Sequence, residues 1–488
     1  MTDNKRIYQA YYTDSNPIVH YMVAMLDVQA DSTILEPSAG NGAFIAALIG
    51  SGRSIEAYEL DSDAIAQLHK TFGTQIQVIH GNTLLDSRLT ERIVQQGGYD
   101  RIIANPPYGA WLDYEQRKIL KRAYPDFYVK ETYALFLYRC VQLLNDSGKL
   151  VFIVPDTWLN LHRHTALRKY LLEKTTLLEI ALFPSAFFPR VNFGYANLCI
   201  LTVQKGVYSA GHEFNVYTGF RDVSQLADKD TVTCYRIQQH AMQSNLDHAL
   251  FISDKPKVMR LINDAPLRVG DIAACVTGFY SGNDKHFLKT RLDKKRYAKI
   301  DPDTICQSTD RALLADGLEG NRCYVPIAKG GAQHYIKPDD WFMLWSKEAV
   351  EHYRHDKKAR YQNAGYYFRQ GLGVPMVSSS KITAALLNYR LFDQSIVGIF
   401  PHNAADMGYL LAFFNSPTCN TLIRTINPSA NNSAKYICKL PFLRPAETQS
   451  QTIQAVIKTI IQQIASTGQF DFTLKTEVDN VIGKIYGF

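Results

Sequence analysis

The chain has 488 residues, 46% of them hydrophobic and 20% charged, with a formal net charge of +7. That length and balance predict two or three globular domains and exclude a disordered or fibrous chain. The start, Met1-Thr2-Asp3-Asn4-Lys5-Arg6, lacks the apolar run of a secretory signal, and no apolar stretch approaches the ~18 residues of a membrane span. Eight scattered cysteines with no Cys-x-x-Cys pair read as free thiols of a reducing cytosol, and no metal-ligand spacing is present. A cytoplasmic protein without a metal or a membrane partner is therefore expected.

Charge is unevenly placed. Of 53 basic and 46 acidic side chains, residues 1–205 hold 20 of each, so residues 206–488 carry the whole +7. A neutral first part and a basic second part suggest chemistry in front and a polyanion-binding surface behind.

Residues 32–204 alternate between short apolar runs and amphipathic stretches, which predicts a doubly wound α/β sheet. Ser32–Leu35 reads as a first strand entering Glu36-Pro37-Ser38-Ala39-Gly40-Asn41-Gly42, where small residues let a ligand approach the backbone closely. A second strand, Arg53–Leu60, ends in Glu59-Leu60-Asp61, and an acid at that tip suits the hydroxyls of a ribose. A third, Gln75–His80, ends in Gly81-Asn82-Thr83. The glycine loop has neither the G-x-G-x-x-G dinucleotide pattern nor the Gly-Lys-Ser/Thr ending of a phosphate loop. Acids without a basic cluster favour a nucleoside lacking phosphates, such as S-adenosylmethionine.

The fourth strand runs through Ile102, Ile103 and Ala104 and breaks into Asn105-Pro106-Pro107-Tyr108. Asn105 offers a side-chain acceptor, the prolines present carbonyls in a stiff geometry, and Tyr108 offers a flat face. Together they suit the grip of an amino group on an sp2 carbon. A plain strand-ending turn accounts for the tetrapeptide alone equally well. Further on, a helix is expected from Glu131 past Phe136, with strands at Lys149–Val154, Leu177–Phe183 and Ala196–Val203.

These motifs resemble, in order and spacing, the gamma-class N6-adenine DNA methyltransferases of the TaqI modification methyltransferase type. The resemblance covers residues 8–204. It rests on Tyr11-Tyr12-Thr13, Leu35 to Gly40, Glu59-Leu60-Asp61, Asn105 to Tyr108, Tyr133-Ala134-Leu135-Phe136 and Val154-Pro155-Asp156-Thr157-Trp158-Leu159. It implies transfer of a methyl group from S-adenosylmethionine to N6 of an adenine flipped out of duplex DNA. The fold implied is a Rossmann-like, seven-stranded, mostly parallel catalytic domain at residues 1–205. An α+β DNA target-recognition domain ending in a helical segment follows at 206–488.

By the same resemblance Tyr11, Thr13, Glu36, Pro37, Ser38, Ala39, Gly40, Gly42, Glu59, Leu60, Asn82, Thr83, Asn105, Pro107 and Phe136 bind the cofactor. Asn105, Pro106, Pro107 and Tyr108 carry catalysis, and Tyr108 and Phe188 stack on the target base, with Phe187 and Phe183 competing for the second place. Asn82 departs from the family's acid, and Thr83 stands where an aromatic usually forms one wall of the adenine pocket; Phe136 would supply the other face. Asp14 replaces a usual proline.

The second part shows no catalytic motif. Its Gly/Asn-rich loops (276–285 and 427–432) and the Arg/Lys–aromatic stretch from Arg354 to Arg369 suggest base-edge and phosphate contacts. Candidates are Asn283, Lys285, Lys357, Lys358, Arg360, Lys381, Asn431 and Asn432; a solvated basic loop is the plain alternative. Thr448–Ser466 reads as a terminal amphipathic helix. The motif start near residue 8 predicts a stand-alone modification enzyme; a monomer of the bacterial cytosol or nucleoid is the separate expectation. The enzyme would be an orphan or partner a separate restriction endonuclease. Alternatives are an RNA or protein-glutamine N-methyltransferase, or a catalytically dead DNA-binding module.

Overall fold

A computed structural model of the chain describes residues 15–52, 54–109, 112–187, 197–252, 256–331, 334–378, 381–427 and 429–488. The chain divides into two compact units, Met1–Asp254 and Lys255–Phe488. Among the described residues no helix is long and apolar enough to cross a membrane.

In the first unit strands alternate with helices. The order is α1 (Asn16–Leu26), β1 (Thr33–Glu36), α2 (Ala43–Leu48), β2 (Ser54–Glu59), α3 (Ser62–Phe72), β3 (Gln77–His80), α4 (Arg88–Gln96) and β4 (Tyr99–Ala104). Then come α5 (Tyr114–Ala123), α6 (Thr132–Leu143), β5 (Leu144–Pro155), α7 (Thr165–Lys174), β6 (Thr175–Pro184), β7 (Asn197–Lys205), β8 (Glu213–Thr218) and β9 (Thr233–Gln238). The strands form one sheet in the order β3-β2-β1-β4-β5-β7-β6-β8-β9. From β3 to β5 every pairing is parallel, and β7 runs antiparallel between β5 and β6. Helices cover both faces, so the central strands read as continuous apolar runs: Ile102, Ile103 and Ala104 of β4 and Leu150 to Val154 of β5 are all buried. β1 has β2 on one side and β4 on the other, which makes its carboxyl end the switch point of the sheet.

All seven expected strands are present, and two more join them. β8 pairs in parallel with β6, and β9 closes the edge antiparallel to β8. The compact unit ends near residue 254, beyond the boundary of 205/206 that the resemblance implied. What fixes the extension is a buried cluster. Lys229 Nζ lies 2.7 and 2.8 Å from the two carboxylate oxygens of Glu179 on β6, and the Tyr21 hydroxyl of α1 donates to the same carboxylate. The Lys229 ammonium also sits over the rings of Tyr21 and Tyr217, at 4.9 and 4.6 Å. Gln239 adds a backbone-like clamp, donating to the Thr175 carbonyl at 2.7 Å and accepting from the Leu177 N–H at 2.8 Å.

The second unit holds a four-stranded and a five-stranded sheet around an aromatic core that includes Phe279, Trp345, Tyr353, Tyr367, Phe368 and Phe392. The terminal helix runs Glu447–Thr467 and buries Ile453, Val456, Ile457 and Ile460; a further helix, Phe472–Tyr486, follows it.

Removing the Lys229 charge leaves the Glu179 carboxylate buried without its cation. Lys229→Met is expected to lower the unfolding free energy in urea by about 3 kcal/mol. Adding Glu179→Met to that variant should recover most of the loss, because the stranded charge is then gone.

Candidate active site

Four strand tips of the first unit meet at the switch point. After β1 the chain turns through Glu36 to Gly42 into α2. Glu36 is 2% exposed, and its Oε2 has no hydrogen-bond partner among the described residues. Burial, and then the nearby Glu59, push its carboxyl well above the ordinary value, against a hydrogen bond from the Ile45 backbone. Gly42 has φ +79°, and a Cβ there would meet the Phe72 ring at 2.6 Å, so only glycine fits.

Each neighbouring tip is tied to this loop. The Gly40 N–H donates to Glu59 Oε2 at 2.7 Å. Glu59 Oε1 accepts from the N–H groups of Leu60 and Asp61 at 2.6 and 2.9 Å. Both oxygens of the expected ribose acid thus face backbone donors; Oε1 accepts two, and Oε2, which accepts one, keeps a second lone pair. Asp61 caps α3. From β3, Thr83 Oγ1 donates to the Pro37 carbonyl at 2.6 Å, which makes Thr83 a buried latch. The missing aromatic wall read from this position is instead a bond holding two loops together. Asn82 Oδ1 accepts from the Leu84 N–H at 3.0 Å, shaping the turn with one lone pair. From β4, the Asn105 carbonyl accepts from Ser38 Oγ at 3.4 Å.

The Asn-Pro-Pro-Tyr loop is held in turn by the start of α6. Thr132 Oγ1 donates to the Pro107 carbonyl at 2.6 Å. Gly109, at φ +92°, packs so closely that a Cβ would lie 2.5 Å from the Thr132 nitrogen. Tyr108 is 3% exposed, and its hydroxyl donates to the Ile153 carbonyl at 3.4 Å. Phe136 lies in the core of the unit. On β6 and beyond, Phe183 is buried and stacks on the half-buried Phe187 with centroids 5.6 Å apart. That makes Phe183 a core residue. Tyr11, Thr13 and Phe188 lie outside the described residues. The structure adds Thr132, Tyr133, Glu131 and His164 behind the loop. Tyr133 stands in a matched motif and Glu131 and Thr132 at an expected helix start, but the sequence assigns them no role, and His164 carries no sequence signal, since these side chains meet only in the folded chain.

In the second unit two of the expected stretches come together. The backbones of Tyr280 and Arg360 exchange both hydrogen bonds, at 3.3 and 2.8 Å. Gly282, at φ +81°, packs 2.9 Å (for a Cβ) from the Ala359 nitrogen. A groove of about 650 Å³ opens beside them, lined by Asn283, His286, His352, Asp356 and Lys358 among others. Asn283, Lys285, Lys357, Lys358 and Arg360 are exposed around it. The interleaved rings do not share that surface: Tyr367 and Phe368 are in the core, and Tyr361 and Tyr366 pack against it. Lys381 and Asn431 are exposed. Asn432 is fully buried, accepting from Arg424 at 3.1 Å and donating to Ser378 Oγ at 2.8 Å, so it braces its loop and cannot meet a partner.

Residues 46–188 match the Eco57I restriction-modification methylase family. Two curated relatives are similar over longer stretches. The type II methyltransferase M.HincII of Haemophilus influenzae is 31% identical over 191 residues, covering 38% of this chain and 35% of that protein. The adenine-specific methyltransferase BrxX of Escherichia coli O9:H4 (strain HS) is 22% identical over 358 residues, covering 71% of this chain and 28% of that protein. The chain thus spans about a third of the length of these relatives. Among solved structures, the type IIL restriction-modification enzyme MmeI in complex with DNA aligns with 96% of this chain and 72% of its own. Its TM-score is 0.59 at 10% identity. The DrdV–DNA complex aligns with 94% of this chain and 57% of its own, at TM-score 0.56 and 12% identity. At that identity the likeness speaks for the fold.

The buried Glu36 has a consequence for stability. Folded, it keeps its proton above the ordinary value of 4.5; unfolded, it loses it there. Stability of the ligand-free protein therefore falls as pH rises from about 4.5 to the folded value. Glu36→Gln should melt higher than the wild type, by a margin that grows over that range, in thermal scans taken from pH 4.5 to 8.

Proposed function

We propose that this chain is an S-adenosylmethionine-dependent DNA methyltransferase that modifies N6 of an adenine flipped out of the duplex. It would serve as the modification component of a restriction-modification system or as an orphan methylase. The observation that carries this reading is the placement of Asn105-Pro106-Pro107-Tyr108 at the switch point, braced against the Glu36–Gly42 loop. The family match over residues 46–188 supports it.

The residues present fit the cofactor. Glu36 Oε2, buried and without a hydrogen-bond partner among the described residues, suits the ammonium of the cofactor's amino-acid end, which would also bring the carboxyl back to its charged form. Gly40 and Gly42 leave the backbone open to close approach. Glu59 Oε2 has a lone pair left for a ribose hydroxyl, and Asn82 Oδ1 has one left for an amino group. When bound, the cofactor supplies an electrophilic sulfonium methyl group.

The protein's own work is extraction, grip and orientation. Flipping costs a few kcal/mol, and stacking on Tyr108 returns about 1–3 kcal/mol. Stacking requires that one face of the Tyr108 ring, now buried, first be uncovered. As the resemblance implies, the Asn105 amide oxygen and the Pro106 carbonyl accept the two N6 hydrogens, beside a Pro107 carbonyl steadied by Thr132. Held by both, the nitrogen turns towards a tetrahedral shape and its lone pair leaves the ring. That lone pair would then be available to take the methyl group that the bound cofactor supplies. The methylated amine is acidic and gives up its proton readily, so no strong base is needed. Positioning and electrostatics supply the rate.

The exposed cations at 285, 357, 358 and 360 give the second unit a surface for the phosphate backbone of DNA. The relatives' names and the DNA complexes of MmeI and DrdV support DNA as the substrate.

The test is expression in a methylation-free bacterial host, followed by genome sequencing that reports modified bases. N6-methyladenine at one recurring short sequence is expected. Unmodified DNA from soluble, cofactor-binding protein would move the acceptor to RNA or a protein amide, and absence of cofactor binding would leave a DNA-binding module. Asn105→Ala should keep cofactor affinity by calorimetry while its single-turnover rate falls about 100-fold or more. An unchanged rate would sink the role given to the asparagine.

A further inference from the structure

Behind the Asn-Pro-Pro-Tyr loop lies a polar network buried in the core, where hydrocarbon would pack as well. Tyr133 of α6 stands edge-on to Tyr108, with ring centroids 6.2 Å apart and planes at 84°. Its hydroxyl lies 3.0 Å from His164 Nε2, 2.9 Å from Thr157 Oγ1 and 3.4 Å from Glu131 Oε2. His164 Nε2 in turn is 2.6 Å from Glu131 Oε2, and Arg163 Nη2 is 2.5 Å from Glu131 Oε1. The imidazole is 1% exposed. Burial holds it below its ordinary value, so the neutral Nε2–H form, donating to Glu131, fits this geometry.

A buried carboxylate, imidazole and phenol cost stability unless each is satisfied, and a satisfied network is rigid. Here the rigidity is delivered to one place. Glu131, Thr132 and Tyr133 are consecutive: Thr132 holds the Pro107 carbonyl, and Tyr133 holds the edge of Tyr108. Arg163 spans the outside of the network, its guanidinium 5.0 Å from the Tyr128 ring, and that ring stands edge-on to His164. The network therefore has a charged outer end and an inner end that is the wall of the loop.

Resting on the function proposed above, we infer that Glu131, His164 and Tyr133 are positioning residues for the target base. They fix the Tyr133 ring, and through it the plane in which Tyr108 receives an extruded adenine. None of them touches the reacting atoms. If Tyr133 swivels, Tyr108 loses its edge contact, the stacked base gains freedom, and N6 spends less time in line with the methyl group.

The experiment uses the full chain and a duplex carrying the sequence found by methylome analysis, with 2-aminopurine in place of the target adenine for the stacking readout. Tyr133→Phe and His164→Leu should bind S-adenosylmethionine and DNA with wild-type affinity and lose about tenfold in single-turnover methyl transfer. Their 2-aminopurine emission should be brighter than the wild type's, because a loosely held base is quenched less by its tyrosine. His164→Gln, whose amide still donates to Glu131, should stay within about threefold of wild type on both readouts. Wild-type rate and emission in Tyr133→Phe and His164→Leu would overturn the inference. So would a loss of rate that follows the melting temperature and both affinities, with no rescue by glutamine, since that is the mark of a purely structural role. A wild-type chain that methylates no DNA overturns the function itself, and the inference with it.

Discussion

The site depends on one short parallel pairing. β1 meets β4 through Ile34↔Arg101 and Leu35↔Ile102. Those two pairs bring the Glu36 loop and Asn105 to the same edge of the sheet, close enough for Ser38 to bond the Asn105 carbonyl. A slip of one residue would part the Glu36 loop from Asn105 and break the Ser38 bond, so the site requires this register. The remaining loops are fastened to this edge by single bonds: Gly40 to Glu59, Thr83 to Pro37, Thr132 to Pro107. The result is a rigid rim in which polar groups of four strands are set before any ligand arrives, the condition under which electrostatics accelerates a reaction.

Much of that rim was legible in the sequence. Apolar runs broken by glycine, proline and acids gave away the strand ends, because a buried parallel strand and its polar tip have opposite chemistry. What stayed hidden was pairing at a distance. Thr83 read as a lost aromatic wall because a residue's neighbours in space are not its neighbours in sequence; only the fold reveals its bond to Pro37. Asn432 looked like a loop residue ready for a base edge, yet Arg424 and Ser378 take its amide. The rings between Arg354 and Arg369 share a stretch with exposed cations but point the other way, into the core. Composition cannot tell the two faces of a loop apart.

The two parts of the chain differ in how they hold charge. In the first unit, acids at the rim are buried, satisfied by backbone, or left with a lone pair to spare. In the second, Lys329 is neutralised between Asp284 and Asp393, at 2.5 and 3.1 Å, directly behind the loop that presents Asn283 and Lys285. Buried pairs stiffen that loop, while the unburied cations beside it keep their field in solvent, where it acts at a range set by salt.

The strands β8 and β9 also change what the sheet offers to other chains. Without them β6 would end the sheet with residues 179 to 181 unpaired, an open row of backbone donors and acceptors beside a large apolar core. A chain cut at residue 205 would expose that row and strip Glu179 of Lys229 at the same time. Such a fragment would add strands from its own copies and aggregate. The edge that remains on that side of the sheet is β9, short, largely solvated and carrying Arg236, a poor template for a second chain.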